Sequence, residues 1–270
     1  LYQAEFAGRI RGIKVAPTAP TLTHLFFADD SLMFFEASQE GATEISRILQ
    51  VYEAGSGQMV NRDKSTIMFS RNTKGADKDI VMNILGLQQE TTGGKYLGLP
   101  LYIGRLGTQC FEYIKERLWA RIQGWLERFL SMKGKEILVK SVTQVIPAYA
   151  MGCFDLTKGL CEELSKMICK YWWSQQSDEN KMHWVGWDKM KLPKEQGGLG
   201  FRDLYSFNLS MLARQAWRLL QAPESLCARV LQAKYYPGSN IVSAVSTPNM
   251  SYTWRSILKG LAIVREGYIW

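Results

Sequence analysis

Residues 24–35, HLFFADDSLMFF, constrain the fold more than any other stretch of the sequence. Two β-prone apolar runs flank the polar break Ala28-Asp29-Asp30. Such a break between two apolar runs predicts a β-hairpin whose turn holds both carboxylates. Asp also favours turns for local hydrogen-bonding reasons, so the acidic pair by itself would be an ordinary turn signal.

After this hairpin the pattern changes from strand-like to helical. Ser38 is a candidate N-cap, Gly55-Ser56-Gly57 would end the helix, and Thr66–Phe69 is a further strand candidate. Apolar residues recur at helical spacing at Ile45, Ile48, Leu49 and Tyr52. The order strand, turn, strand, helix, strand predicts an α+β layer in which a helix covers one face of an antiparallel sheet.

The chain beyond residue 70 begins with a polar stretch at 70–80 and later becomes mainly helical. The segment YLGLPLYIGR at 96–105 predicts a short buried strand that contains a turn. A second helical run covers 135–146 and ends at Pro147. Between the two lies an apolar stripe at helical spacing, formed by Phe111, Ile114, Leu118, Ile122, Trp125 and Phe129.

Tryptophans and glycines mark the C-terminal part of the chain. The glycines of GGLGF at 197–201 match no phosphate-loop pattern, so they predict a turn before a helix that begins near Leu204. The tryptophans lie at helical intervals among Leu and Met, which predicts core positions, with stacking on nucleic-acid bases as the alternative. They are Trp172, Trp173, Trp184, Trp187, Trp217 and Trp254.

The composition limits the classes of function. The formal net charge of +8 favours an anionic partner, although a merely basic surface would give the same number. Five cysteines without a CxxC pair and only two histidines argue against a zinc site, and they fit a reduced intracellular protein. No apolar run is long enough for a membrane span, and no signal segment is recognisable at the N-terminus. We therefore expect a soluble protein of the nucleus or cytoplasm.

Exposed carboxylates at a turn are suited to divalent cations. Mg²⁺ prefers hard oxygen ligands and is usually shared with substrate phosphates. Two-metal catalysis needs several carboxylates that converge from different strands, so one turn can supply only part of such a site.

The apolar frame around the acidic pair resembles the catalytic FADD hairpin of reverse transcriptases from non-LTR (LINE-type) retrotransposons, particularly those of plants. Three later blocks resemble the same proteins in the same order. They are GSGQMVNRDKSTIMFS, KYLGLPLYIGR, and MHWVGWDKMKLPKEQGGLGFRDLYSFNLSMLARQAWRLL. The resemblance covers essentially the whole chain and implies a partial polymerase palm at 1–95, a thumb-like helical region at 96–155 and a Trp-rich helical region at 156–270.

The resemblance also implies roles for single residues. Asp29 would bind metal, Asp30 would be its less demanding neighbour, and Lys64 would lie near the incoming triphosphate as a proton donor, or else be a solvated lysine at a strand edge. Mg²⁺ would be the cofactor, and an RNA template with a DNA primer the partners. The resemblance also implies contact with nucleic acid for Tyr96, Arg105, Arg117, Arg121 and Arg128. For Tyr96, a buried structural role is the alternative.

These arginines belong to a local surplus of positive charge across 105–140. The basic residues are Arg105, Lys115, Arg117, Arg121, Arg128, Lys133, Lys135 and Lys140, against Glu112, Glu116, Glu127 and Glu136. Such a surplus would bind a nucleic-acid backbone in a salt-sensitive way. A solvated helix face with internal ion pairs is the alternative.

The match to the family is incomplete. A complete palm needs a further metal-binding aspartate on an earlier strand, and Glu5 is the only acid among the 28 residues that precede Asp29. We therefore expect a piece of a longer protein, cut at both ends, that does not polymerise by itself. The alternatives are a non-catalytic nucleic-acid-binding or structural remnant, or a fragment that does not fold stably because its hairpin lacks partners.

Overall fold

The computed structural model describes residues 1–91, 93–101, 103, 109–126, 130–174 and 182–267. The chain divides into two compact units. The first comprises Leu1–Tyr102 with Arg229–Pro237, and the second comprises Ile103–Ala228 with Gly238–Trp270.

The first unit combines short strands with three helices. In chain order its elements are α1 (Tyr2–Phe6), β1 (His24–Phe27), β2 (Asp30–Met33), α2 (Gln39–Ser56), α3 (Gly75–Leu85), β3 (Lys95–Tyr96) and β4 (Leu99–Pro100). Within the described residues these strands form two separate antiparallel hairpins, β1 with β2 and β3 with β4. This mixture is compatible with the α+β class, and the polymerase palm remains a prediction.

Helix α2 confirms the predicted caps at both ends. The Ser38 side chain accepts a hydrogen bond from the Gly41 backbone N–H at 3.1 Å, which satisfies one of the free donors of the first turn. The helix ends at Gly57, whose φ of 71° is a conformation that glycine adopts without strain. Tyr52 was expected on the buried face but is exposed, whereas Ile45 is buried in the core and Ile48 and Leu49 pack against it.

The strand prediction for the residues after α2 is wrong. Thr66–Phe69 does not form a strand of the hairpin sheet, because only Ile67 makes a single parallel bridge, to Glu90. Within the polar stretch at 70–80, for which no element was predicted, α3 begins at Gly75. The first half of α3 is polar, but the helix has a short apolar face on which Val81 and Leu85 are buried.

The core of the first unit is small. Its buried residues are Ala4, Ile10, Ala42, Ile45, Val81 and Leu85. Several larger side chains, including Phe35 and Phe69, pack against these residues while remaining partly exposed. The hairpin β1–β2 adds little to this core, because β1 is largely exposed and β2 is at most half-buried.

The second unit is helical. Its helices are α4 (Glu112–Leu126), α5 (Met132–Leu138), α6 (Ala148–Met151), α7 (Lys158–Trp173), α8 (Trp187–Lys191), α9 (Leu204–Gln221) and α11 (Tyr252–Gly267), and α10 (Leu226–Tyr235) spans the division between the units. Helices α9 and α11 lie very close together: a Cβ added to Gly260 would be 2.3 Å from the Leu212 carbonyl carbon. Only glycine fits at this crossing.

The predicted apolar stripe is confirmed for Phe111, Ile114, Leu118 and Ile122, which are all buried. Trp125 is half-buried, and Phe129 lies outside the described residues. The second helical run differs from the prediction. It begins at Met132 and contains a π-helical turn at Val139–Thr143, and Pro147 precedes α6 as its N-cap. Proline fits there because the first helical positions need no backbone N–H donor.

The GGLGF segment forms the predicted turn before α9, which begins at Leu204 after the N-cap Asp203. A Cβ on Gly198 would be 2.0 Å from the Leu192 carbonyl oxygen, so the chain returns on itself too closely for any side chain. No helix within the described residues has both the length and the apolar content that a bilayer crossing requires.

Candidate metal and nucleic-acid sites

The hairpin tip differs from the predicted three-residue turn in one respect. Phe27 pairs with Asp30, so Ala28 and Asp29 alone form the turn and Asp30 is the first residue of β2. Ala28 has a φ of 52°, a left-handed conformation that favours glycine in two-residue hairpin turns. Asp29 therefore lies at the tip, and both Asp29 and Asp30 are exposed.

The two aspartates differ in what surrounds them. Residues directly opposite one another in a hairpin share a face, so Asp30 lies on the face of Phe27. Alternation along each strand adds Leu25 and Leu32 to that face. Asp29, at the apex, is free of these apolar neighbours and is the better placed of the two to meet a ligand.

No other carboxylate completes a metal site in the described part of the chain, where no group of three or more His, Cys, Asp or Glu residues could hold an ion. The single upstream acid, Glu5, accepts a hydrogen bond from Thr23 Oγ1 at 3.1 Å. Thr23 immediately precedes β1, roughly 13 Å along the strand from the turn. The tip thus provides two oxygen-donor side chains, which fit one edge of a Mg²⁺ site and leave most ligand positions to other groups.

Lys64 lies in a turn and not at a strand edge. Its backbone N–H donates to Asn61 Oδ1 at 3.1 Å, and its side chain is exposed. No hydrogen bond or ion pair connects Lys64 with either hairpin aspartate among the described residues. Its assignment as a proton donor stays a prediction.

Tyr96 belongs to the second hairpin, where it pairs with Leu99. The two turn residues, Leu97 and Gly98, have φ values of 50° and 77°, the pattern of a type I′ turn. Tyr96 is half-buried. The predicted turn within a short strand segment is confirmed, and contact of Tyr96 with nucleic acid stays a prediction.

Arg117 and Arg121 lie one turn apart on α4 and are both exposed. Neither has a carboxylate partner in the part of the chain that the structure describes. Lys115 differs, because its Nζ lies 2.6 Å from Glu112 and 2.9 Å from Glu163. Arg105 and Arg128 lie outside the described residues.

Two of the other counted lysines do not contribute to a free positive surface. Lys135 is buried, and its Nζ donates to the carbonyl oxygens of Tyr171, Trp172 and Ser174 at the end of α7. A cation there compensates the negative end of the helix dipole. Lys140 pairs with Glu136 at 2.7 Å. The sequence offered no signal for the burial of Lys135, because its carbonyl partners are more than 35 positions away.

The tryptophans divide between core and surface. Trp172 and Trp254 are buried, as predicted, and Trp172 packs edge-on against Phe201. Trp173 and Trp187 are half-buried. Trp184 and Trp217 are 80% and 38% exposed, so the prediction of a core position is wrong for these two residues.

Comparison with known proteins gives two relatives from Arabidopsis thaliana. The chain is 39% identical over 125 residues to the "Uncharacterized mitochondrial protein AtMg00310", a match that covers 46% of this chain and 81% of that protein. It is 35% identical over 175 residues to the "Putative ribonuclease H protein At1g65750", covering 64% of this chain but only 28% of that protein. No protein-family model matches the chain.

The first of these matches shows the family: the chain belongs to the same family as the mitochondrial protein. Such relatives are typical of retrotransposon-derived sequences, so this is a retrotransposon-related protein. Since the chain spans little more than a quarter of the second relative, the activity of any larger protein is a matter for proposal.

Proposed function

We propose that this chain is part of an RNA-directed DNA polymerase of the LINE type, in which the β1–β2 hairpin contributes one edge of the metal site. The observation that carries the proposal is the exposed pair Asp29 and Asp30 at the tip of a tight hairpin framed by phenylalanines. The retrotransposon-related family supports it at the coarse level. The order of the later sequence blocks supports it further.

In this proposal the residues have distinct tasks. Asp29 would bind a divalent cation directly. Asp30, the first residue of β2, would assist in binding the same cation. Bound Mg²⁺ would neutralise the charge of the triphosphate and activate the attacking primer oxygen. Because the described residues bring only these two carboxylates to the tip, the chain by itself is expected not to extend a primer.

The surface of the hairpin is consistent with a larger sheet. Phe26 and Phe27 are 57% and 61% exposed, and Leu25 is also exposed, although two-stranded hairpins are marginally stable without further packing. In the proposed enzyme, other strands of the palm would cover these side chains and bring the missing carboxylate toward Asp29.

Primer extension by a fusion protein tests the proposal. The upstream fingers and palm of a plant LINE-type reverse transcriptase would be joined to Leu1, and extension measured with Mg²⁺ on an RNA template. We expect extension that falls roughly a thousandfold in Asp29→Asn and less in Asp30→Asn. Asp203→Asn, a carboxylate change in the second unit, should leave the rate unchanged. No extension with Asp29 intact, or full extension by Asp29→Asn, would contradict the proposal.

A second candidate function is nucleic-acid binding without catalysis, favoured by the exposure of Arg117 and Arg121 and by their lack of carboxylate partners among the described residues. Filter binding at about 50 mM salt should show retention that falls steeply as salt rises. The double change Arg117→Glu and Arg121→Glu should abolish it. Arg214 and Arg218, exposed and also four residues apart on α9, provide a control of equal charge change. Equal losses from both pairs would contradict a specific role for α4.

A further inference from the structure

Two aromatic rings stack at the end of α7. The His183 ring lies nearly parallel to the indole of Trp173, with the ring centroids 5.8 Å apart and 18° between the planes. His183 Nδ1 also lies 3.8 Å from the Sγ of Cys169, a residue one turn before Trp173 on α7. His183 is therefore held by contacts with α7 on one side, while the residue remains exposed to solvent.

Trp184 follows this ring pair directly and is 80% exposed. Met182, on the other side of His183 in the chain, is 73% exposed. An indole in water forgoes the burial that normally stabilises so large an apolar ring, so its exposure marks a surface that another molecule can cover. We refer to Trp173, His183 and Trp184 together as the aromatic platform.

Positive charge lies beside the platform on α7. Lys166, Lys170 and Trp173 follow one another at intervals of four and three residues, so they share one face of the helix. Both lysines are exposed, and neither forms an ion pair with a carboxylate in the part of the chain that the structure describes. From Leu164 to Ser174 the sequence contains no acidic residue. The half of α7 next to the platform therefore offers charge of one sign only.

We propose that the aromatic platform, together with Lys166 and Lys170, binds single-stranded nucleic acid by base stacking. An unpaired base stacks on a flat ring while its phosphate meets a cation, so exposed rings beside lysines suit a single strand. The bases of a duplex are already stacked on one another, which leaves mainly phosphates for this surface. Anionic lipid would also suit Trp184 and the lysines, but the fixed ring pair of Trp173 and His183 has no role there.

The inference deepens the nucleic-acid-binding function proposed above and rests on it. Arg117 and Arg121 of α4 would attract the backbone of any nucleic acid, whereas the platform would select unpaired bases. Because the two surfaces recognise different parts of the ligand, probes with and without unpaired bases separate them.

Binding of a fluorescein-labelled oligothymidylate to the full chain, followed by fluorescence anisotropy, tests the inference. The strand would have about 12 nucleotides and the buffer about 50 mM salt. Trp184→Ala should weaken binding by about tenfold, a usual loss for one stacked base, and Trp184→Phe should restore most of the affinity because it keeps a flat ring. Lys166→Glu with Lys170→Glu should weaken binding and make it less dependent on salt.

Matched controls lie on α9. Trp217 is also exposed, and Arg214 and Arg218 are exposed basic residues close to it on the helix. Trp217→Ala should change the affinity by less than about twofold. Arg214→Glu with Arg218→Glu alters the net charge as much as the lysine pair does and should weaken binding less. Light-induced cross-linking of a strand that contains 5-iododeoxyuridine should attach it to Trp184 or His183, as identified by mass spectrometry.

An affinity that Trp184→Ala leaves unchanged, with circular dichroism showing a folded variant, would overturn the platform and leave the nucleic-acid-binding function intact. Equal affinity for an abasic strand of the same length would exclude stacking. Equal affinity for a duplex would exclude the selection of unpaired bases. Phosphatidylserine vesicles that bind the chain only when Trp184 is intact, while the oligonucleotide binds regardless, would assign the surface to lipid. If none of the nucleic-acid probes binds, both the inference and the function on which it rests are wrong.

Discussion

The two units of the chain place their aromatic side chains in opposite ways. The first unit exposes Phe6, Phe26 and Phe27 around a core of small aliphatic residues. The second buries Trp254 and Phe111 completely among its helices. The second unit buries several of its largest rings although it exposes Trp184, whereas the first presents apolar strands beside its candidate metal ligands. The region that carries the candidate chemistry is thus the one least able to stabilise itself.

The largest effect is expected from the core of the second unit. Trp254→Ala removes a fully buried ring and should lower the free energy of unfolding by about 4 kcal/mol. Trp217→Ala, on the exposed side of α9, should lower it by less than about 1 kcal/mol. Urea unfolding followed by circular dichroism measures both. Equal losses would contradict the description of a densely packed second unit.

A buried amide holds the segment before α7 in the second unit. Asn208 donates to the Met151 and Phe154 carbonyls, both at 2.9 Å, and accepts from the Leu156 N–H at 2.7 Å. Asn208→Ala leaves these groups buried without partners and should cost about 2 to 3 kcal/mol. Asn83→Ala, exposed on α3 of the first unit, should change the unfolding free energy by less than about 0.5 kcal/mol. A similar small change at Asn208 would show that water replaces the amide.

The pH dependence of the second unit tests the cap of α9. Partial burial opposes the charge of Asp203, but hydrogen bonds from Lys191 and Ser206 outweigh it and hold its pKa at about 2. A lowered pKa stabilises the fold above the ordinary value of 3.8, and this contribution disappears as the pH falls toward 2. Because the carboxylate is partly exposed, we expect about 1 kcal/mol.

Asp203→Asn keeps a good N-cap but removes the ion pair. Its unfolding free energy should be lower than that of the unmodified protein near neutral pH, and the two should converge as the pH approaches 2. Denaturant titrations across this pH range measure the difference. A constant difference at every pH would show that the charge of Asp203 contributes nothing.

The smallest effect concerns the hairpin turn of the first unit. Ala28 has a left-handed backbone conformation that is strained for alanine, and Ala28→Gly removes this strain. Glycine also gives the unfolded chain more freedom, which opposes the gain, so the hairpin should be stabilised by about 0.5 kcal/mol. Ala54→Gly, within α2, should have the opposite sign and cost about 1 kcal/mol. Hydrogen exchange of the β1–β2 and α2 amides reports each locally. Destabilisation by Ala28→Gly would mean that the turn does not need a left-handed residue.

Elements defined by neighbouring residues were predictable from the sequence. The hairpin, the Ser38 cap, the stop at Gly57 and the start of α9 each depend on a few consecutive side chains, and the structure confirms them. Within the candidate site, the exposure of Asp29 and Asp30 followed from the same local pattern.

The errors involve contacts between distant residues. Thr66–Phe69 has strand-forming residues but meets only one neighbouring segment, at Glu90, so no ladder develops. Lys135 resembles a surface lysine in sequence, and only the distant end of α7 makes its burial favourable. Likewise no residue pattern in the sequence indicated the π-helical turn at Val139–Thr143.

Metal binding at the hairpin tip of the chain as it stands tests the central claim most directly, namely that this tip is one edge of a divalent-cation site. Addition of Mn²⁺ to about 5 mM should selectively broaden the amide resonances of residues 27–31, as expected for a weak site with few protein ligands. Asp29→Asn should abolish this broadening, Asp30→Asn should reduce it, and Asp203→Asn should leave it intact. Absence of broadening at the tip, or broadening that persists in Asp29→Asn, would contradict the account.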